Sequence, residues 1–193
     1  MSKQALRGLA LAAAVLAASL GVIGGARADI SILGDPNANV LAAAKDNNVE
    51  KVKSLLTTGN DPDWVDFDNR TALMYVATSG NLAIAKLLVE NGAKVTAVDK
   101  TGNDAIHYAA SAGNVDIVRL LLDAKMPVDQ PNRDGATPLM VAAGKGKTAV
   151  VKLLLERGAN PRKNDYTGRN ALSFAQDNRQ TQVVQILRQA GAN

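Results

Sequence analysis

The 193-residue sequence predicts an all-α solenoid built from about five helix-turn-helix repeats whose tips are short β-turns or hairpins. Three observations predict this fold. Similar segments recur every 33 residues, and a fixed period of this length is typical of stacked repeats. Glycines recur in phase with the repeat. Aromatic residues make up only 3% of the chain, while alanine and leucine dominate, which favours closely packed helices over a β-sandwich.

The repeat frame divides the chain into five copies. Four clear copies begin at Asn69, Gly102, Gly135 and Gly168, and a weaker copy begins at Asn37. We place the repeat domain at residues 29–193, with repeat boundaries near 33–65, 66–98, 99–131, 132–164 and 165–193. One helix pair cannot bury its apolar face alone, so the copies must stack on one another. Polar residues on the outer faces of the first and last copies, Lys45 among them, indicate caps of a complete array.

Each repeat is predicted to open with a helix. Side chains that favour the N-cap recur before an apolar run, at Thr71, Asp104, Thr137 and Asn170. Pro138 follows one of them, at the first helical position, where the missing N–H costs nothing. A glycine then ends the first helix, because glycine adopts a left-handed conformation without strain. These glycines are Gly80, Gly113 and Gly146.

A second helix follows, running in the third copy from about Val115 to Leu122. Ile117, Val118, Leu120 and Leu121 have the spacing of one apolar face. Gly92 and Gly158 end the equivalent helices. The chain then reaches a tight turn with Gly102, Gly135 or Gly168, and Asn69 takes that place in the second copy because asparagine tolerates positive φ.

These residues carry a resemblance to the ankyrin repeat family. Thr137-Pro138-Leu139 matches the start of that family's T-P-L-H-x-A-A signature, and residues 106–110 match its end. Leu87-Leu88 followed by Gly92-Ala93 is similar to the end of the family's second helix. The resemblance covers roughly residues 33–193. It implies a monomeric, non-catalytic module that holds a protein partner on its concave face, between the turn tips and the first helices.

The family's concave face maps onto equivalent positions of this sequence, and eight residues at those positions are candidates for partner binding. Three are aromatic residues near turns, a typical composition of binding hot spots. Five form a basic row that would attract an acidic partner. Two alternatives remain open: Trp64 fills a gap between the first repeats, or the row is solvated charge that the turn aspartates cancel. The candidates are Trp64, Phe67, Tyr166, Arg70, Lys100, Arg133, Lys145 and Arg169.

The stretch "AAGKGKTAV" at residues 142–150 ends in Gly-Lys-Thr, like the phosphate-binding loop GxxxxGK[ST]. That loop requires a preceding strand and a glycine five positions before its second glycine. Here that position is Val141, inside the predicted first helix, and Gly146 aligns with Gly80 and Gly113. We therefore interpret the triplet as the turn between two antiparallel helices.

Catalysis is not expected from this composition. The chain has no cysteine, which excludes disulfides, thiolate metal sites and a cysteine nucleophile. His107 is the single histidine, and the resemblance implies that it ties the turn to the start of the helix. Asp99, Asp134 and Asp165 lie on separate repeats, so a shared metal site is not predicted. We expect no cofactor and no enzymatic activity.

Residues 1–28 have the pattern of a cleaved signal peptide. Lys3 and Arg7 precede an apolar run from Leu9 to Ile23, and Ala26-Arg27-Ala28 supplies the small-residue cleavage site. The run of 15 residues is shorter than the roughly 20 that span a bilayer, which disfavours the alternative of an uncleaved anchor. Cleavage after Ala28 leads us to expect a bacterial periplasmic protein that does not enter the membrane.

The charge of the remaining chain argues against nucleic acid as a partner. The full sequence has 22 basic and 18 acidic residues, and residues 1–28 hold three of the basic residues and no acidic one, which leaves 19 against 18. Nucleic-acid binding needs a strong basic footprint.

The sequence therefore predicts a periplasmic protein-binding adaptor whose partner is another exported or envelope protein. Similar small exported ankyrin proteins are associated with protection against peroxide, a role implied only by resemblance. The alternative is a secreted effector or toxin inhibitor.

Overall fold

The structure is a computed structural model that describes residues 39–192. This part of the chain contains ten helices arranged as five consecutive pairs, all within one compact unit. The predicted signal peptide lies outside the described residues. The helices are α1 Val40–Lys45, α2 Val49–Thr57, α3 Ala72–Ser79, α4 Leu82–Glu90, α5 Ala105–Ala112, α6 Val115–Asp123, α7 Pro138–Gly144, α8 Thr148–Glu156, α9 Ala171–Asp177 and α10 Thr181–Gln189.

The predicted N-caps of the first helices are confirmed. The side chains of Thr71, Asp104, Thr137 and Asn170 each accept a hydrogen bond from the backbone N–H three residues later. Pro138 occupies the first turn of α7, as expected. These caps satisfy N–H groups that the helix itself cannot satisfy, which is why each copy begins its helix at the same position.

The glycines predicted to end the first helices have left-handed backbones. Gly80 has a φ of 84° and Gly113 a φ of 92°, and each is the C-cap of its helix. Gly146 has a φ of 66° and follows Lys145, which caps α7. In the first and last repeats Asn47 and Arg179 take this place, with φ of 56° and 57°. The turn therefore requires a left-handed residue in every repeat.

The second helices supply one leucine to the core at a constant interval of 33 residues. Leu88, Leu121, Leu154 and Leu187 are fully buried. Burying a leucine stabilises the fold by about 1.5–3 kcal/mol. The small buried alanines of the first helices, such as Ala77, Ala110 and Ala143, lie against neighbouring repeats in the same continuous core. Successive first helices pack on one another, and so do successive second helices.

Backbone hydrogen bonds join the turn of one repeat to the turn of the next. Lys100 N donates to Asp68 O at 2.9 Å, Arg133 N to Thr101 O at 3.1 Å, and Tyr166 N to Asp134 O at 3.0 Å. An antiparallel bridge between Val65 and Thr71 closes the second repeat's turn. The turns consequently form one continuous ridge beside the first helices.

None of the helices within residues 39–192 combines the length and apolar character needed to cross a membrane.

Candidate binding groove

Two grooves open on the surface formed by the first helices and the turns. Groove one, of about 620 Å³, lies across α1, α3 and α5, and its lining includes Lys45, Arg70, Tyr75 and Tyr108. Groove two, of about 450 Å³, lies between the last two repeats, and its lining includes Arg133, Tyr166, Arg169 and Phe174. Both grooves therefore combine cations with aromatic rings.

The aspartates of the turns organise the floor of these grooves. One alternative left open by the sequence treats them as surface charges that cancel the basic row, but Asp99 and Asp165 are buried. Asp99 Oδ1 accepts hydrogen bonds from Thr101 N at 2.8 Å, Thr101 Oγ1 at 2.7 Å and Asn103 N at 2.9 Å. The carboxylate fixes its own turn because aspartate side chains readily bond to backbone N–H groups two residues on. The interpretation of these two aspartates as surface charge was wrong.

The other oxygen of two turn aspartates accepts a bond from a tyrosine of the first helix. Tyr75 Oη donates to Asp66 Oδ2 at 2.6 Å, and Tyr108 Oη donates to Asp99 Oδ2 at 2.5 Å. The two tyrosines occupy the same position of successive repeats, where the following repeats carry Val141 and Phe174. The tyrosine hydroxyls thus satisfy the second oxygen of each carboxylate by a hydrogen bond from the groove side.

These contacts hold the carboxylates in their ionised form. Burial would raise the pKa of Asp66, but the hydrogen bonds from Tyr75 and from backbone N–H groups outweigh it and lower the pKa to about 2. The same opposition between burial and the bonds from Tyr108 and Thr101 leaves the pKa of Asp99 below its usual value. Burial and the bond to Asp99 raise the pKa of Tyr108 to about 12, so its hydroxyl stays protonated as a donor.

Lys45 and Arg70 lie above these tyrosines with about two fifths of each side chain exposed. Lys45 Nζ is 4.2 Å from the ring centroid of Tyr75, and Arg70 Cζ is 5.7 Å from that of Tyr108. Cations at these distances are attracted to the ring face. Each cation also lies near a carboxylate, with 3.6 Å from Lys45 Nζ to Asp66 Oδ2 and 4.0 Å from Arg70 Nε to Asp99 Oδ2.

Groove two has a different arrangement because Phe174 has no hydroxyl. Arg169 stacks on the Phe174 ring at 4.6 Å and bonds Asp165 Oδ2 through Nη2 at 3.1 Å. Burial would raise the pKa of Asp165, but the bonds from Thr167 and Arg169 lower it to about 2. The guanidinium of Arg169 therefore replaces the tyrosine hydroxyl found in groove one.

The structure brings only part of the predicted surface into the grooves. Arg70 lines groove one, and Arg133, Tyr166 and Arg169 line groove two. The remaining four candidates line neither groove. Trp64 and Phe67 are 57% and 96% exposed on the second repeat's turn, Lys100 pairs with Asp68 at 3.9 Å, and Lys145 is exposed at the end of α7.

Sequence reasoning missed Lys45, Tyr75 and Tyr108. Lys45 was assigned to the outer face of the first repeat, whereas it packs on Tyr75 of the second. The two tyrosines carried a usable signal, since both lie nine residues after a turn aspartate and 33 residues apart.

The histidine has the structural role that the resemblance implied. His107 is buried, with Nδ1 2.7 Å from Asp104 Oδ1 and Nε2 3.0 Å from Ala136 O. Its ring therefore joins the start of α5 to the next repeat.

The Gly-Lys-Thr triplet lies in a helix-to-helix turn, as predicted. Gly146 ends the segment after α7, Lys147 precedes α8, and Thr148 begins it. Residues 39–192 contain no group of three or more histidine or acidic side chains placed to hold a metal ion.

Paired helices that stack through a common core, with grooves beside their turns, define a helical repeat solenoid. The family model described as "Ankyrin repeats (3 copies)" matches residues 40–132 and 125–193. The chain belongs to the ankyrin repeat family, whose members are protein-binding modules and generally non-catalytic. A search of curated proteins found no match.

Proposed function

We propose that this chain is a non-catalytic adaptor of the bacterial periplasm that binds another exported or envelope protein along its first-helix face. The observation that carries the proposal is the pair of grooves, in which exposed or half-exposed cations and aromatic rings lie on turns that are held by hydrogen bonds. Such a surface is already ordered, so a partner does not have to offset the entropy of organising it.

Site-specific photo-crosslinking in native cells tests the binding face. A crosslinking residue replaces the exposed Thr78 in groove one, and a matched variant carries it at the exposed Lys86 on α4, away from both grooves. We expect a discrete protein adduct from position 78 and none from position 86. Equal adducts from both positions, or none from position 78, would refute the proposed face.

Charge substitution provides a second test. Arg70, Arg133 and Arg169 are changed together to glutamine, and the control changes Lys86, Arg119 and Lys152, three exposed cations of the second helices. The first set should reduce capture of the crosslinked partner, and the control set should not. Circular dichroism and thermal melting verify that both proteins keep their helices. Undiminished capture by the first set contradicts the proposal.

The location follows from the predicted signal peptide and has its own test. Mass spectrometry of the protein recovered from cell fractions should find a chain beginning at Asp29 in the periplasm. Recovery mainly outside the cell would favour the secreted effector or toxin inhibitor instead.

Protection against peroxide is the pathway we propose to test first, on the resemblance alone. A deletion strain should lose survival in hydrogen peroxide, and the wild-type gene should restore it. The triple arginine variant should fail to restore it where the control triple variant succeeds. Unchanged survival of the deletion strain would remove this role.

A further inference from the structure

Groove one differs from groove two in whether the cation beside a turn aspartate donates a hydrogen bond to that aspartate. Lys45 Nζ and Arg70 Nε lie 3.6 Å and 4.0 Å from their nearest carboxylate oxygens. Charge-assisted N–H···O bonds are about 2.7–2.9 Å long, so neither distance is a hydrogen bond. Arg70 Nε has no hydrogen-bond partner although the atom is buried.

The tyrosines explain why Lys45 and Arg70 do not donate hydrogen bonds to the neighbouring aspartates. Tyr75 and Tyr108 donate hydrogen bonds to the Oδ2 atoms of Asp66 and Asp99. Backbone N–H groups donate to the Oδ1 atoms of the same two aspartates. The carboxylates are thereby satisfied without Lys45 or Arg70. In groove two the residue equivalent to these tyrosines is Phe174, and Arg169 donates to Asp165 and Thr167 instead.

The remaining wall of groove one is compatible with a polar ligand. Thr78, Ser79 and Ser111 line it beside the two cations, and the rings of Tyr75 and Tyr108 form its sides. Asp66 and Asp99 keep the net charge of this region low, but their Oδ2 atoms already accept hydrogen bonds from Tyr75 and Tyr108. An anion entering the groove would meet the cations and not the carboxylates.

We propose that groove one is a carboxylate-receiving subsite, and that the partner presents to it an aspartate or glutamate side chain from an extended acidic segment. This inference rests on the proposed function and names the chemistry of the partner. Two half-exposed cations that are not hydrogen-bonded to their neighbouring aspartates complement one carboxylate of a ligand. In groove two Asp165 and Thr167 already take donors of Arg169, so this guanidinium has fewer donors left for a ligand.

A peptide-binding experiment tests the subsite with the full mature chain. The probe is a short fluorescein-labelled peptide in which glutamate alternates with alanine, and its control replaces every glutamate with glutamine. We expect binding of the glutamate peptide that weakens with added salt, and no binding of the glutamine peptide. Equal binding of both peptides would overturn the proposal, because the carboxylate would then contribute nothing.

Substitutions locate the binding. Changing Lys45 and Arg70 to glutamine should lower the affinity for the glutamate peptide about tenfold, because two partly exposed charge contacts are lost. The triple variant of Lys86, Arg119 and Lys152 removes more charge from another face and should bind like the wild type. Unchanged affinity of the Lys45/Arg70 variant, with its melting temperature preserved, would refute the subsite.

A third variant separates this inference from a simple charge effect. Changing Tyr75 and Tyr108 to phenylalanine removes no charge, but it frees Asp66 and Asp99 to take Lys45 and Arg70 as donors. Peptide affinity should fall, and an unchanged affinity would refute the role of the tyrosines. If the peptide experiments fail but crosslinking at position 78 succeeds, only the subsite is rejected. If the peptide binds but no adduct forms in cells, the proposed function is rejected.

Discussion

His107 Nε2 lies 3.0 Å from the backbone carbonyl oxygen of Ala136, which belongs to the next repeat. The carbonyl can only accept, so the ring must donate from Nε2. Its Nδ1 is 2.7 Å from Asp104 Oδ1. One buried ring thus holds a helix cap and a neighbouring repeat together.

The Asp104 and His107 pair is expected to behave as a unit. The second and fourth repeats have threonine and methionine in these two places, at Thr71 with Met74 and at Thr137 with Met140. His107→Met alone leaves the buried Asp104 unpaired and should destabilise the fold by about 3 kcal/mol. Adding Asp104→Thr should recover much of that loss.

Urea denaturation of both single variants and the double variant measures this coupling as a double-mutant cycle. Additive free energies of unfolding would show that the two side chains act independently and would contradict the assigned role.

The leucines of the second helices should carry a large share of the stability. Leu121→Ala or Leu154→Ala opens a cavity at a fully buried position and should cost about 2–5 kcal/mol. Lys152 lies on the exposed side of α8, the helix that also carries Leu154, and Lys152→Ala should change stability by no more than about 0.5 kcal/mol. Thermal melting compares the three, and a melt unaltered by either leucine change would show that the repeat register is wrong.

Acid should weaken the fold through its buried carboxylates. The pKa of Asp165 is about 2 in the folded chain and about 3.9 when unfolded, so its contribution is fully present above pH of about 4 and disappears as pH falls towards 2. Asp165→Asn should retain the turn, because Asn132 makes the same bonds in the preceding repeat, to the N–H groups of Asp134 and Ala136.

The Asp165→Asn variant should therefore be less stable than wild type at pH 7 but lose less stability between pH 4 and 2. Melting temperatures across this range test the expectation, with Asp116→Asn on an exposed helix face as the control. Parallel curves for wild type and the Asp165 variant would exclude this carboxylate as a source of acid sensitivity.

Two turn glycines offer a matched test of the contact between repeats. Gly135 and Gly168 have φ of 80° and 84°, so alanine at either position incurs left-handed strain of about 1–2 kcal/mol. A Cβ on Gly135 would also lie 2.8 Å from Tyr166 N, whereas nothing lies within 4 Å of one on Gly168. Gly135→Ala should consequently be the more destabilising by about 1 kcal/mol or more. Equal losses in chemical denaturation would show that the turns are not closely packed.

Local sequence was sufficient to predict the helices. N-caps such as Thr71, left-handed glycines such as Gly113 and apolar positions such as Leu121 act within one repeat, so their spacing indicates the structure directly. The same frame resolved the Gly-Lys-Thr triplet as a turn, because Gly146 shares its position with two other glycines.

The candidate surface was less predictable because it depends on contacts between repeats. Lys45 packs on Tyr75, and Arg70 on Tyr108, each pairing a cation with the following repeat. No pattern within a single copy indicates which donors a neighbouring repeat leaves unused.

By itself, then, the sequence determined the repeat, its caps and its core, since these depend on short-range spacing and on the burial of apolar side chains. Tertiary structure alone decided that Asp99 and Asp165 are buried and that tyrosine hydroxyls, not cations, donate hydrogen bonds to Asp66 and Asp99. The physical reason is that hydrogen bonds between side chains depend on distances of a fraction of an ångström across stacked repeats, and residue types do not specify those distances.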